Sequence, residues 1–269
     1  MSAPGIKLNG CSVRDLYKLC GKLSREDILN IGSDFPTCLP RLPRYFRTFP
    51  HFSNIMEKKE AHSSDEIRIT AVLAGGKSSR FGSNKALAPW GQRTVIAHIV
   101  QTAWRVSDAV YIVTNDPRAY MDLPAAIIQD TYPGKGPLSG ILAALAIAPA
   151  NRVFVLGCDM PCVLPEVMDH MWRITTWAPV VLPVTSRGIE PLHAIYHVAL
   201  APVILHALAR GIRSVRELLQ SVPHRPVSES ELSPYSPDLS FLANANTQEE
   251  LESLRQKTKN QTQSHRKTS

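Results

Sequence analysis

From residue 67 onward the chain alternates short apolar runs with stretches of helical period. Residues 67–73 are mainly apolar and close on two adjacent glycines, Gly75 and Gly76, which is how a buried strand entering a tight loop reads. Residues 94–105 place Val95, Ile96, Ile99, Val100 and Trp104 on one helical face. Apolar runs at 109–114, 125–128 and 152–156 predict three further strands. Between the last two lies an Ala/Leu-rich helix over 138–148, stopped by Pro149. A helix over 165–174 has Pro165 at its first position, where the missing N–H costs nothing. Strands follow at 180–184 and 192–196, then a helix over 199–209 ending at Gly211 and a short one over 214–219. Residues 241–244 read as a last strand. Thr247 and Glu250, three apart, predict a capping box on a helix running to about Gln256. Strands alternating with helices predict an α/β fold: a mostly parallel sheet with helices on both faces.

Residues 1–65 break this rhythm. Two short helical stretches, 13–23 and 24–31, precede a Pro-, Phe- and Arg-rich segment with no sustained period. Three readings compete: a disordered extension, a small added module, or sequence upstream of a start at Met56. The preferred one is a poorly ordered or dispensable extension, followed by a single domain over 66–256 and a basic disordered tail over 257–269. Composition supports a globular protein, with 44% hydrophobic and 20% charged residues. No apolar run reaches the roughly 18 residues of a membrane span, and the first twenty residues lack the apolar core of a signal peptide. No membrane association and a cytoplasmic location are therefore expected. The net charge of +7 suits anionic ligands such as phosphates. Nucleic acid is not expected as a partner, because aromatic residues are only 7% and no stacking platform emerges. Five cysteines without regular spacing argue against a disulfide framework, and Cys158-x-x-x-Cys162 lacks a second ligand pair for zinc.

The chemistry gathers where strands end. Ligands in open α/β sheets bind at the carboxyl ends of the strands. Gly75 and Gly76 follow the first strand, and Lys77, Arg80 and Lys85 add positive charge; successive backbone N–H groups there suit an anion. The loop is not a Walker motif, since the residue five before Gly76 is Ala71, and it lacks the dinucleotide spacing. Asn115 and Asp116 follow the second strand, Asp130 the third and Asp159 the fourth. A carboxylate at Asp159 can hold a divalent cation, and Mg²⁺ needs only one or two such groups plus substrate phosphates. The competing role is a turn cap. Asp130 either meets a ribose, base or metal or stabilises its own turn. Lys85 can stabilise charge developing at an α-phosphorus, and Arg80 can clamp phosphate oxygens in bidentate fashion. His193 and His197 flank a strand and are assigned no role. No nucleophile elbow is present, so phosphorus chemistry by positioning and electrostatics fits best.

The loop Leu73-Ala74-Gly75-Gly76-x-x-x-Arg80-Phe81-Gly82-x-x-Lys85 resembles the signature of molybdenum cofactor guanylyltransferases. The resemblance continues, in the family's order, through Asp130, Gly136-Pro137-Leu138-x-Gly140-Ile141 and Cys158-Asp159-Met160-Pro161. It extends over Glu190-Pro191-Leu192-x-Ala194-x-Tyr196 to Asn244-x-Asn246-Thr247. It implies a Rossmann-like nucleotidyltransferase fold and Mg²⁺-dependent transfer of GMP from GTP to molybdopterin, releasing pyrophosphate. By motif match Leu73, Ala74, Gly75 and Lys85 bind GTP, with Gly76 and Lys77 in the same loop. Asn115 and Asp130 lie on the nucleotide side. Lys85, Arg80 and Asp159 form the implied catalytic set, with Asp159 on both nucleotide and metal. Asn244 and Asn246 match the pterin side. Molybdoenzymes or their chaperones are the implied recipients of the product. A cytidylyltransferase on the same pterin is the nearest alternative, and a non-catalytic cofactor carrier a second; Gly75-Gly76 and Cys158 lean toward the guanylyl branch.

Overall fold

The computed structural model describes residues 67–75, 84–130, 132 and 134–267. The expectations for residues 1–65, and for Gly76, Lys77 and Arg80, fall outside them. At the centre runs β1 (Ile69–Leu73), buried at every residue. It pairs in parallel with β4 (Ala109–Thr114) on one side and β6 (Arg152–Gly157) on the other. A two-residue hairpin, β2 (Pro89–Trp90) and β3 (Arg93–Thr94), precedes α1 (Val95–Ala103). Beyond β4 lies β5 (Ala126–Gln129) at one sheet edge. The helix α2 (Pro137–Ile147) then carries the chain back across the sheet to β6. The far half holds β7 (Val180–Thr185), β8 (Gly188–Ile189), β9 (His193–His197) and β10 (Arg225–Ser228), giving the order β10-β7-β9-β6-β1-β4-β5 with β8 on β7. Because the chain leaves β1 toward β4 and later returns to β6 on its other side, the order reverses at β1 and a crevice opens at its carboxyl end.

Neighbouring strand residues divide between two cores. Val72, Ile112, Phe154 and Leu156 join one, together with Ile96 and Ile99 of α1 and Met168 of α3 (Pro165–Trp172). Leu73, Val113, Val153 and Val155 join the other, with Leu138 and Ile141 of α2 and Ile204 of α4 (Ala201–Ala209). The strands are covered on both faces, which is why they read as unbroken apolar runs. Among the described residues no helix is long and apolar enough to cross a membrane.

Local signals set several element ends. Pro137 and Pro165 open their helices, and Gly211 adopts φ +86° just after α4. The Thr247–Glu250 capping box forms: Glu250 N donates to Thr247 Oγ1 at 3.2 Å, and Thr247 N donates to Glu250 Oε2 at 3.1 Å.

The structure departs from the sequence expectations in four places. Residues 241–244 are not a strand, because Leu239 turns into the left-handed region (φ 52°) and a 3₁₀ turn at Ser240–Leu242 drives Phe241 into the core. The helix expected to end near Gln256 is the long terminal helix Gln248–Lys267, so most of the stretch read as a disordered tail is helical; no Gly or Pro interrupts it. The strand β10 was missed because Pro226 lies within it, which only an edge strand tolerates. Last, β9 runs antiparallel to both β6 and β7. This reversal brings its amino end, His193, beside Leu156 at the carboxyl end of β6.

His193 is fully buried, and neither ring nitrogen has a hydrogen-bond partner. Its ring lies 5.2 Å from those of both Phe154 and Phe241.

Candidate active site

The first strand delivers its loop to the crevice with the backbone already committed. Ala74 N donates to Val113 O at 2.8 Å, and Leu73 O accepts from Cys158 N at 3.2 Å, tying the loop to the ends of β4 and β6. Gly140 lets α2 come close to this loop: a Cβ there would lie 3.2 Å from Leu73 Cδ2. Gly75 is exposed, with open space where a side chain would be.

Lys85 begins a 3₁₀ turn that Asn84 caps, its Oδ1 accepting from Ala86 N at 3.1 Å. The amide of Asn84 also donates to the buried Tyr120 hydroxyl at 2.8 Å, anchoring the loop exit to the body of the fold. From that anchor Lys85 Nζ reaches Asp159 Oδ2 at 2.9 Å and Asn246 Oδ1 at 3.4 Å. Lys85 and Asp159 side chains are each about one-fifth exposed (23% and 20%), so solvent screens their attraction only partly. Asp159 follows β6, and its carbonyl accepts from Ala245 N at 2.8 Å, which brings the Asn244–Asn246 segment into the site.

Asp130 lies at the end of β5. Its N–H continues the sheet pairing to Thr114 O at 3.2 Å. One carboxylate oxygen accepts from Tyr132 N at 2.9 Å and the other lies 2.8 Å from the Ser139 hydroxyl. Asp130 therefore holds its own loop, and any contact with a nucleotide uses its remaining lone pairs. Asn115 is exposed at the end of β4, whose place in the sheet sets it between the β1 loop and Asp130. Lys85, Asp159 and Asn246 thus form one hydrogen-bonded group and Asp130 with Ser139 a second.

Sequence reasoning gave Glu190 no role. Its Oε1 accepts from Leu192 N at 3.3 Å, and Leu192 O in turn accepts from Gly157 N at 2.8 Å, two residues before Asp159. Burial pushes the Glu190 carboxyl above the usual carboxylate range; the Leu192 N–H, Arg216 and Asn244 oppose the rise and Asp159 adds to it. Its signal was the Glu190-Pro191-Leu192 motif of the family resemblance, which carries no role by itself and places Glu190 at this edge only if the following strand runs antiparallel.

Among the described residues nothing at this edge resembles a protein nucleophile with its base. Burial, with Asp159 beside it, pushes the Cys158 thiol up to about 12, so it stays protonated. The arrangement instead offers an ammonium, a carboxylate and an amide oxygen around one point, next to a glycine loop. That suits displacement at phosphorus, where the protein positions groups and neutralises charge.

Gly157 is the tightest joint. A Cβ there would come 2.5 Å from Asp159 Oδ1, so the Gly157→Ala variant must shift the carboxylate whose other oxygen holds Lys85. The clash is with a movable side-chain end. The expected result is near-normal thermal unfolding with turnover reduced by up to about a hundredfold; unchanged turnover would show that the Asp159 orientation is irrelevant.

The MobA-like NTP transferase domain model matches residues 70–226. The chain is 35% identical over 183 residues to the molybdenum cofactor guanylyltransferase of Desulfosudis oleivorans, covering 67% of this chain and 91% of that protein. To the molybdenum cofactor guanylyltransferase of Syntrophotalea carbinolica it is 32% identical over 186 residues, covering 68% and 89%. The crystal structure of molybdopterin-guanine dinucleotide biosynthesis protein A from Archaeoglobus fulgidus shares the fold, with a TM-score of 0.64, 24% identity and coverage of 71% and 99%.

Proposed function

The chain belongs to the MobA-like NTP transferase family, and on that premise we propose that it transfers GMP from GTP to molybdopterin with release of pyrophosphate. The observation that carries the reading is the convergence of Lys85 and Asn246 on Asp159 at the carboxyl edge of the sheet, beside the glycine loop of β1. Leu73 and Ala74, tied to the neighbouring strands, carry the exposed Gly75 toward the triphosphate, with Asp130 and Asn115 on the same half of the sheet. Lys85 neutralises charge that builds on the α-phosphate as the acceptor phosphate attacks and pyrophosphate leaves. No protein nucleophile is required, because the acceptor brings its own.

The donor set fits Mg²⁺. The Lys85 ammonium already sits as a positive charge within 3.4 Å of two oxygen ligands, one from Asp159 and one from Asn246. A hard cation that keeps waters and shares phosphate oxygens needs little more from the protein. Asp159 would hold the ion, with Asn246 beside it. When bound, the ion supplies Lewis-acid stabilisation of phosphate charge. Molybdoenzymes or their chaperones are the recipients this product suits.

The test compares pyrophosphate release from GTP and CTP in the presence of Mg²⁺ and molybdopterin. A clear preference for GTP is expected. Preferential use of CTP would assign the chain to cytidylyl transfer, and binding without turnover to a carrier.

A further inference from the structure

The strand order divides the carboxyl edge of the sheet. The β1 loop, Asn115 and Asp130 occupy the β1-β4-β5 half; Asp159 stands at β6; Glu190 lies past it, at the amino end of the reversed strand β9. We propose that Glu190 reads the 2-amino-4-oxopyrimidine edge of the pterin acceptor, taking its ring N–H and its adjacent amino group on one carboxylate. This rests on the guanylyl-transfer reading above.

Three observations support it. Glu190 is fixed by its own strand entry, with Leu192 N donating to Oε1, and that same residue's carbonyl is joined to the Gly157 backbone beside Asp159. It is therefore held in register with the reacting centre. Arg216 acts on Glu190 through space, but among the described residues no salt bridge closes on it, whereas Asp159 is paired with Lys85. A half-buried carboxylate has about four lone-pair sites, and Leu192 N and Asn244 leave acceptor capacity unused. The chemical match is two parallel N–H donors on one carboxylate, the geometry in which such bonds are strongest. Guanine presents the same donor pair. Position favours the pterin, because the loops assigned to GTP lie on the opposite side of Asp159.

Glu190→Gln is the discriminating change. Its amide oxygen still accepts from Leu192 N, but its NH₂ turns a donor toward a donor. Losing a charge-assisted contact and leaving polar groups unpaired corresponds to about a tenfold to hundredfold effect. The expected result is a molybdopterin KM raised by that factor, with the KM for GTP and kcat at saturating pterin within about twofold of wild type. ITP, which lacks the 2-amino group, separates the two sources. If Glu190→Gln erases a wild-type preference for GTP over ITP and leaves the molybdopterin KM alone, Glu190 reads guanine and the proposal is overturned. A fall in kcat with both KM values unchanged overturns it too, assigning Glu190 a role through Asp159. Direct titration of metal-free molybdopterin by its fluorescence supplies a readout independent of turnover. If the wild-type chain binds molybdopterin yet transfers CMP or nothing, guanylyl transfer fails, while weaker or unchanged binding by Glu190→Gln still decides the residue's role.

Discussion

Replacing Asp159 with Asn is expected to lower kcat for GMP transfer by about 10²–10³-fold, the loss typical of removing one preorganised electrostatic contact in a site of this kind. The substitution is nearly isosteric. The carbonyl of residue 159 still receives Ala245 N, and the turn after β6 keeps its backbone bonds. What changes is charge. Lys85, 2.9 Å from Asp159 Oδ2 in the native chain, loses its counter-ion and swings toward phosphate without a carboxylate to position it. The proposed Mg²⁺ loses its anionic ligand at the same time. Lys85→Met should cost a similar factor, and the double variant much less than the product of the two, since both remove parts of one group. Pyrophosphate release measured at saturating GTP across a Mg²⁺ series checks this. Full turnover by Asp159→Asn at ordinary Mg²⁺ would remove both assigned roles at once.

His193→Leu is expected to stabilise the fold, increasingly so in acid. Two buried nitrogens without partners cost about 1–3 kcal/mol each time such a group is left unsatisfied, and leucine fills comparable space without them. The acid dependence follows from burial, which pushes the imidazole down to about 3 from its ordinary 6.5. Below pH 6.5 the unfolded chain binds a proton that the folded chain refuses. Stability is therefore fully present above about 6.5 and falls as pH drops toward 3, with a limiting slope of about 1.4 kcal/mol per unit. The leucine variant lacks this slope, so its advantage should widen by about 2 kcal/mol between pH 7 and pH 5. Urea unfolding at pH 7 and pH 5 measures the difference; parallel changes in the two proteins would contradict it.

The parts of this site legible in the sequence are those whose signal is local. A glycine pair closing an apolar run, an aspartate just beyond another, and Thr247 three residues before Glu250 each announce themselves within a few positions. Asp130 was found the same way, although its oxygens turn out to be engaged within its own loop. Glu190 stood in a matched motif but was given no role, because its place at the site depends on strand direction, and an apolar run carries no sign of which way it will lie in a sheet. Residues 241–244 misled for a related reason. Phe241 is apolar because a 3₁₀ turn buries it in the core, against His193 among others, and one buried aromatic beside Leu242 imitates the start of a strand. Likewise Pro226 hid β10, since only its place at the sheet margin makes proline acceptable there.

The reversal of β9 has a consequence for how such a protein can change. The nucleotide half is assembled from loops that leave parallel strands and enter helices, so altering one disturbs helix packing behind it. The acceptor half is approached through the stretch between β8 and β9, two strands that both lie antiparallel to β7, and this stretch is held by that pairing and by the Tyr196 hydroxyl donating to Pro191 O. A lineage, or an engineer, can rewrite side chains just ahead of His193 and present a different face to the second substrate while the β1 loop and Asp130 stay as they are, provided the Leu192 carbonyl still accepts from Gly157 N beside Asp159. With the proposed pterin contact ahead of β9 and the nucleotide loops on β1, β4 and β5, the two specificities fall to separate elements and can be inherited separately.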